Sequence, residues 1–159
     1  MNQQYLQLYA DFIVKVGVNV QPRQNFIVRC PVTMPEFAHA CVRAGYGAGA
    51  KRVIVRWEDD RLTRLNMELA QEADLTDVKP YELRSYLDYA EDHDCCCNLA
   101  IHSEYHYALA GLDAGKVNRV NLARRTVMKP WQEYTMNDRV QWCVVAVPAP
   151  GWAAKVFPG

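Results

Sequence analysis

The chain has 159 residues, of which 50% are hydrophobic, so it is long enough for one compact core and short for two. Its 18 basic residues balance 18 acidic ones, which leaves no excess charge to attract nucleic acid or an anionic membrane, and we expect neither partner. No apolar run approaches the roughly 20 residues that span a bilayer, and the first residues lack the features of a secretory signal. We therefore expect a soluble, cytoplasmic chain.

The cysteine pattern also indicates a reducing compartment. Three of the six cysteines, Cys95, Cys96 and Cys97, are consecutive, and the others lie inside apolar patterns. Disulfide-rich domains use a spaced framework instead. We expect reduced, mostly buried thiols.

The chain begins with a helical pattern. Residues 3–16 place four large apolar side chains at helical spacing on one stripe, formed by Tyr5, Leu8, Phe12 and Val16. A helix is predicted over this segment.

Strands and helices alternate in the next segments. Residues 25–30 and 52–57 are rich in side chains that fit a buried strand, and a helix is predicted between them over 34–49. Acidic residues after the second strand predict the start of a third helix. Its apolar stripe consists of Leu62, Leu65 and Leu69.

The alternation continues to the end of the chain. Pro80 predicts the first turn of another helix, and residues 95–101 predict a third strand. A long polar helix is predicted over 114–128, ended by Lys129-Pro130, and a fourth strand over 141–147.

Four apolar strands separated by helices predict a parallel sheet with helices on both faces. Right-handed crossovers then favour a three-layer α/β sandwich of flavodoxin-like or Rossmann-like topology. No repeat or low-complexity linker interrupts the pattern, so we expect one domain over residues 1–159.

His102 and His106 are the strongest candidates for metal ligands, because side chains four apart on a helix share one face. A zincin motif requires glutamate directly after the first histidine, whereas here Glu104 comes two residues later. We favour polar residues at the end of a strand over a metal site. The sequence also lacks a glycine-rich loop after a strand, so nucleotide binding is not expected.

Other candidates could line a ligand crevice or a domain interface. Trp57 and Asp60 follow the second strand, at the sheet edge where open α/β folds bind ligands, although an acidic helix cap is the favoured interpretation there. Tryptophans and prolines near the end are too apolar for an ordinary surface and belong to a core or to a face that packs on another domain. They are Trp142, Pro148, Pro150 and Trp152.

These segments together resemble the thermophilic metallo-aminopeptidase family. The similarity runs along essentially the whole chain, from Tyr9-Ala10-Asp11 through Pro35-Glu36-Phe37-Ala38 to Val53-Ile54-Val55 and Trp57. Its most specific part is EYTMNDRVQWCVVAVPAPGWAAKVFP, residues 133–158.

The resemblance implies that the chain is the amino-terminal α/β domain of a dimeric enzyme that removes amino-terminal residues from peptides. Members of such a family hold two divalent ions, of the zinc or cobalt type, on glutamates, histidines and an aspartate of a carboxyl-terminal domain. Those ligands lie beyond the position that matches Gly159, so the resemblance assigns no metal or catalytic residue to this chain. The chain alone is then expected to be inactive; the alternative is a free-standing module that binds a peptide or small ligand.

Overall fold

A four-stranded parallel sheet forms the centre of the structure, a computed structural model that describes residues 3–92, 95–102 and 108–147. The strands lie in the order β2-β1-β3-β4, and every neighbouring pair is parallel. Their bounds are β1, Asn25–Pro31; β2, Arg52–Glu58; β3, Cys96–His102; and β4, Gln141–Ala146. The predicted parallel sheet of about four strands is confirmed, with strand ends within one residue of the predicted ones.

Helices connect the strands in the predicted alternation. Their bounds are α1, Gln3–Phe12; α2, Pro35–Gly47; α3, Asp60–Leu69; α4, Glu72–Thr76; α5, Pro80–Ala90; α6, Ala114–Val127; and α7, Lys129–Met136. One wider turn of π-helix, Ile13–Gly17, continues α1. Within the described ranges, no helix is long and apolar enough to cross a membrane.

Two helices were not predicted. The short helix α4 lies in a polar stretch without an apolar stripe, and none of its residues is buried. The pair Lys129-Pro130 was predicted to end α6, and it also begins α7. Proline is tolerated there because the backbone N–H that it lacks would have no partner in the first turn of a helix.

Helices α1 and α2 cover one face of the sheet, which we call the α1/α2 face. Alternate strand residues point to this face and pack against the two helices. The side chains of Phe26, Val28, Leu99 and Phe37 there are at most 2% exposed. This face holds the larger of the two apolar cores.

Helices α5 and α7 cover the opposite face, which we call the α5/α7 face. Its smaller core includes Ile27, Cys96, Leu87 and Trp131. Because both faces carry helices, the predicted three-layer α/β architecture is confirmed.

The two predicted apolar stripes have an unexpected position. An apolar stripe ordinarily faces the core, yet Tyr5, Leu8, Phe12 and Val16 of the first helix are 57–66% exposed. Its buried residues are Ala10, Ile13 and Val14, which lie on another side of the same helix.

The stripe of α3 is exposed in the same way. Leu62, Leu65 and Leu69 are 48–78% exposed, and Met67 is the residue of α3 that is buried. Sequence spacing shows which apolar residues share one side of a helix. It does not show whether that side faces the core or the surface.

Candidate functional site

A cleft of about 350 Å³ opens on the α5/α7 face. Its floor is formed by alternate residues of two neighbouring strands, because side chains two apart point to the same face. Asn98, Ala100 and His102 come from β3, and Trp142 and Val144 come from β4. Open parallel sheets usually bind ligands near the carboxyl ends of their strands, and the cleft extends to His102, the last residue of β3.

Helices α6 and α7 supply one wall of the cleft. Arg124 and Arg125 from α6, together with Met128, Trp131 and Met136, line this wall. Trp131 is buried, whereas Trp142 on the floor is 46% exposed. The cleft therefore joins apolar surface to several basic side chains.

Arg29 and Glu58 form an ion pair within the lining of the cleft. Nε and Nη2 of Arg29 donate to Oε1 of Glu58 at 2.8 and 2.6 Å, across neighbouring strands. Arg124 Nη1 lies 3.3 Å from Glu82 Oε2 on α5. Three arginines therefore line the cleft, and two of them, Arg29 and Arg124, are each paired with a glutamate.

Arg56 joins the sheet to the second wall. Its guanidinium carbon lies 3.8 Å from the centroid of the Tyr86 ring, and its Nη1 donates to Ser85 Oγ at 3.0 Å. Tyr86 in turn contacts the Trp131 ring, with 5.0 Å between centroids. These contacts fix α5 and α7 to each other and hold the wall of the cleft in place.

Asn98 is an unusual residue for the interior of a sheet. Its side chain is 7% exposed, and its Oδ1 is buried without a hydrogen-bond partner among the described residues. An unsatisfied buried acceptor costs about 1–3 kcal/mol. A water molecule or a ligand donor entering from the cleft would remove this cost, which makes Asn98 a candidate contact residue.

The predicted crevice residues occupy different places. Trp142 lines the cleft together with His102, so these two come together. Trp57 is 47% exposed and lies with Asp60 outside the lining of the cleft. Pro148, Pro150, Trp152 and His106 fall outside the described residues.

The acidic cap at the start of α3 comes from the residue before Asp60. Oδ1 of Asp59 accepts hydrogen bonds from the backbone nitrogens of Arg61 and Leu62 at 2.8 and 3.2 Å. Asp60 is the first helical residue and carries its negative charge in the first turn.

The sequence analysis selected none of Arg29, Asn98, Arg124 and Arg125 as site residues. The first two could have been found. Each is a polar residue inside an apolar strand, and a polar residue at such a position requires a partner or a ligand. The two arginines give no such signal, because basic residues are ordinary on an exposed helix.

The four buried cysteines do not line the cleft, whereas Cys143 does. All six are free thiols, and four of them are buried. Burial raises the pKa of Cys30 to about 11, helped by the nearby charge of Glu58, and burial raises the pKa of Cys41 to about 12. These thiols are protonated at neutral pH and do not act as nucleophiles. Across residues 3–92, 95–102 and 108–147, no three histidine, cysteine or acidic side chains form a group that could hold a metal.

Comparison with known proteins identifies the family of this chain. Residues 2–159 match the family described as thermophilic metalloprotease (M29). The chain belongs to this metalloprotease family. The match extends over nearly the whole sequence, so the family does not depend on a short motif.

Several aminopeptidases of the metalloprotease family are similar to the chain in sequence. It is 31% identical to aminopeptidase AmpS of Bacillus subtilis over 156 residues, which cover 98% of this chain and 38% of AmpS. It is 30% identical to aminopeptidase 2 of Geobacillus stearothermophilus over 152 residues, 96% of this chain and 36% of that enzyme. The chain therefore spans less than two fifths of the length of these relatives.

A solved structure confirms the fold. Wild-type AmpT from Thermus thermophilus superposes with a TM-score of 0.88 at 28% identity. The similarity covers 99% of this chain and 39% of AmpT. The α/β sandwich described above is thus a fold that also occurs within AmpT of Thermus thermophilus.

Proposed function

We propose that the chain is the amino-terminal α/β domain of a metal-dependent aminopeptidase, an enzyme that removes amino-terminal residues from peptides. The observation that carries the proposal is the extent of the matches. They cover 96–98% of this chain but only 36–38% of the length of the two aminopeptidases. The whole of residues 1–159 then acts as one domain beside a larger metal-binding part. Hydrolysis belongs to the assembled protein.

The two divalent ions of the assembled enzyme, of the zinc or cobalt type, are bound by the other domain. When bound there, such ions would provide an activated water for peptide hydrolysis. The present chain contributes a wall of the active-site cavity, and the cleft on the α5/α7 face is the surface best suited to contact the peptide. The enzyme works as a homodimer in the cytoplasm, where the four buried free thiols remain reduced.

A chimeric enzyme tests this proposal. Residues 1–159 are joined to the part of Bacillus subtilis AmpS that lies outside its match to this chain, and release of amino acids from short peptides is measured with added zinc or cobalt. We expect chelator-sensitive release by the chimera and none by the 159-residue chain. Chelator-sensitive release by the chain alone would show that a metal site exists within it and would refute the proposal.

A free-standing ligand-binding module is the second candidate, and the cleft favours it. The cleft has the size of a small-ligand site and combines basic side chains with the buried amide of Asn98. Titration of the isolated chain with short peptides, followed by the fluorescence of Trp142 and the other tryptophans, tests this function. Two results together would favour the binding module over the enzyme domain. The isolated chain would bind a peptide saturably and lose that binding with Asn98→Leu, and the chimera would release no amino acids.

A further inference from the structure

The helical segment of residues 3–17 is apolar on two sides, and the core uses only one of them. The inner side carries Ala10, Ile13 and Val14, each at most 3% exposed. The outer side is the exposed stripe of Tyr5, Leu8, Phe12 and Val16, which we call the outer stripe. A surface helix normally presents polar residues on its outer side, so this stripe is an unpartnered apolar face.

Contacts with α2 fix the orientation of α1. Gln7 Nε2 donates to the carbonyl oxygen of Ala40 at 3.3 Å, and Arg43 Nε donates to Gln7 Oε1 at 2.9 Å. The rings of Tyr9 and Phe37 stack with 5.6 Å between centroids. With these contacts in place, α1 cannot rotate to bury the outer stripe in the core of this chain.

The last strand of the sheet ends beside α1. Tyr9 Oη donates a hydrogen bond to the carbonyl oxygen of Ala146, the final residue of β4, at 3.3 Å. The end of β4 therefore lies beside α1, the helix that carries the outer stripe.

We infer that the outer stripe is the docking surface for the metal-binding domain, the part of the aminopeptidase that this chain does not contain. The inference rests on the proposed function. More than three fifths of the length of AmpS lies outside the similarity to this chain, so in the proposed enzyme this domain has a larger neighbour against which the stripe can pack. The stripe is uncharged, which requires an apolar helix or sheet face on the docking domain.

The area of the stripe favours a tethered domain over a second copy of the chain. Each of its four side chains exposes on the order of 100 Å² of surface that docking could bury, which is about 400 Å² for the stripe. A stable interface buries about 800 Å² on each partner. A free dimer would need more surface than this. A domain in the same polypeptide needs less, because covalent linkage gives it an effective concentration of about millimolar.

Hydrogen exchange in the isolated chain and in the AmpS chimera tests the inference. We expect amides of residues 5–16 to exchange about tenfold or more slowly in the chimera, because docking suppresses local opening of α1. The double variant Leu8→Lys, Phe12→Lys should lose this protection in the chimera and keep the urea midpoint of the isolated chain. Leu62→Lys, at a leucine of α3 that is 56% exposed against 57% for Leu8, is the matched control and should keep the protection.

Two results would overturn the inference. One is an exchange rate of residues 5–16 that is the same in the soluble chimera and in the isolated chain. The other is protection in the isolated chain that rises with concentration alongside a dimer in sedimentation, since a second copy would then cover the stripe. Exchange is measured independently of catalysis, so an active chimera with an unprotected α1 refutes the docking surface alone. An inactive chimera with a protected α1 refutes the proposed function alone.

Discussion

The two faces of the sheet are built from the same strands but have different chemistry. On the α1/α2 face, β1 and β3 present Phe26, Val28 and Leu99, all fully buried. On the α5/α7 face, the same strands present Arg29 and Asn98, and the floor stays open to a cleft. The difference shows that one face supplies most of the apolar stabilisation, whereas the other keeps polar groups available for a ligand or a substrate.

The largest expected effect on the free energy of unfolding is at Leu99, and its neighbour Asn98 on the opposite face of β3 provides the comparison. Leu99→Ala removes a fully buried side chain from the α1/α2 face and should cost about 2–5 kcal/mol, the range for large-to-small changes in a core. Asn98→Ala should change the free energy of unfolding by about 1 kcal/mol or less, because it removes an acceptor that is already unsatisfied. Urea denaturation of both variants measures the difference.

Equal losses in these two variants would break the comparison between the faces. They would mean that a hydrogen bond from Asn98 to a bound water or a neighbouring group contributes as much to the free energy of unfolding as the buried side chain of Leu99 does. A loss at Asn98 that disappears after extensive dialysis of both proteins would instead indicate a small ligand that had copurified with the unmutated chain.

A smaller effect is expected at Gly45 of α2, where helix and sheet approach closely. A Cβ atom there would lie 2.8 Å from Phe26 Cδ1 and 3.0 Å from Val53 Cγ2, so Gly45→Ala overpacks the α1/α2 face at a cost of about 1–3 kcal/mol. This exceeds the gain of about 1 kcal/mol that alanine gives over glycine in a helix. Gly47→Ala, in the same helix with open space around it, is the control and should not lower the unfolding midpoint.

If Gly45→Ala were as stable as Gly47→Ala, the α1/α2 face would be more loosely packed than its buried residues indicate. Thermal unfolding of the two variants, recorded side by side, distinguishes these outcomes.

The smallest effect should appear at alkaline pH. Burial raises the pKa of Cys97 to about 12 and of Cys41 to about 12, above the ordinary thiol value of 9.0, so the folded state keeps protons that the unfolded chain loses. The resulting stability is fully present below pH 9 and falls as the pH rises toward 12. Urea midpoints at pH 8 and pH 10 measure it, and Cys41→Ala should reduce the difference between them.

Cys143 provides the contrast within the same set. It is only partly buried, and burial raises its pKa without fully removing the thiol from solvent. Cys143→Ala should alter the pH dependence less than Cys41→Ala, and a thiol reagent should modify Cys143 before Cys41 in the folded chain. The reverse order of modification would contradict the described burial.

Local sequence patterns were sufficient for much of the fold. Strands such as Asn25–Pro31 combine β-branched residues with a proline end, and helices such as Pro35–Gly47 combine a proline start with apolar spacing. Periodicity did not determine which side of α1 or α3 is buried. Both helices carry apolar residues beyond those that the sheet covers, and the sequence does not encode the covering surface.

The candidate site was less predictable than the fold. Trp142 was selected because the tryptophans and prolines near the end of the sequence are together too apolar for an ordinary surface, and it lies on the floor of the cleft. Arg29 and Asn98 come into one site only through the pairing of β1 with β3. That proximity is a product of the tertiary fold, so no local spacing could have revealed it.

The strand order has a further consequence for biosynthesis. β1 lies between β2 and β3, and Asn25 has Cys96 as its register partner in the far half of the sequence. A nascent chain emerging from the ribosome can pair β1 with β2 early, but the other edge of β1 stays open until β3 has been translated. Pairing between such distant segments is slow, so this interval is the period in which a chaperone would shield the apolar strand Asn25–Pro31.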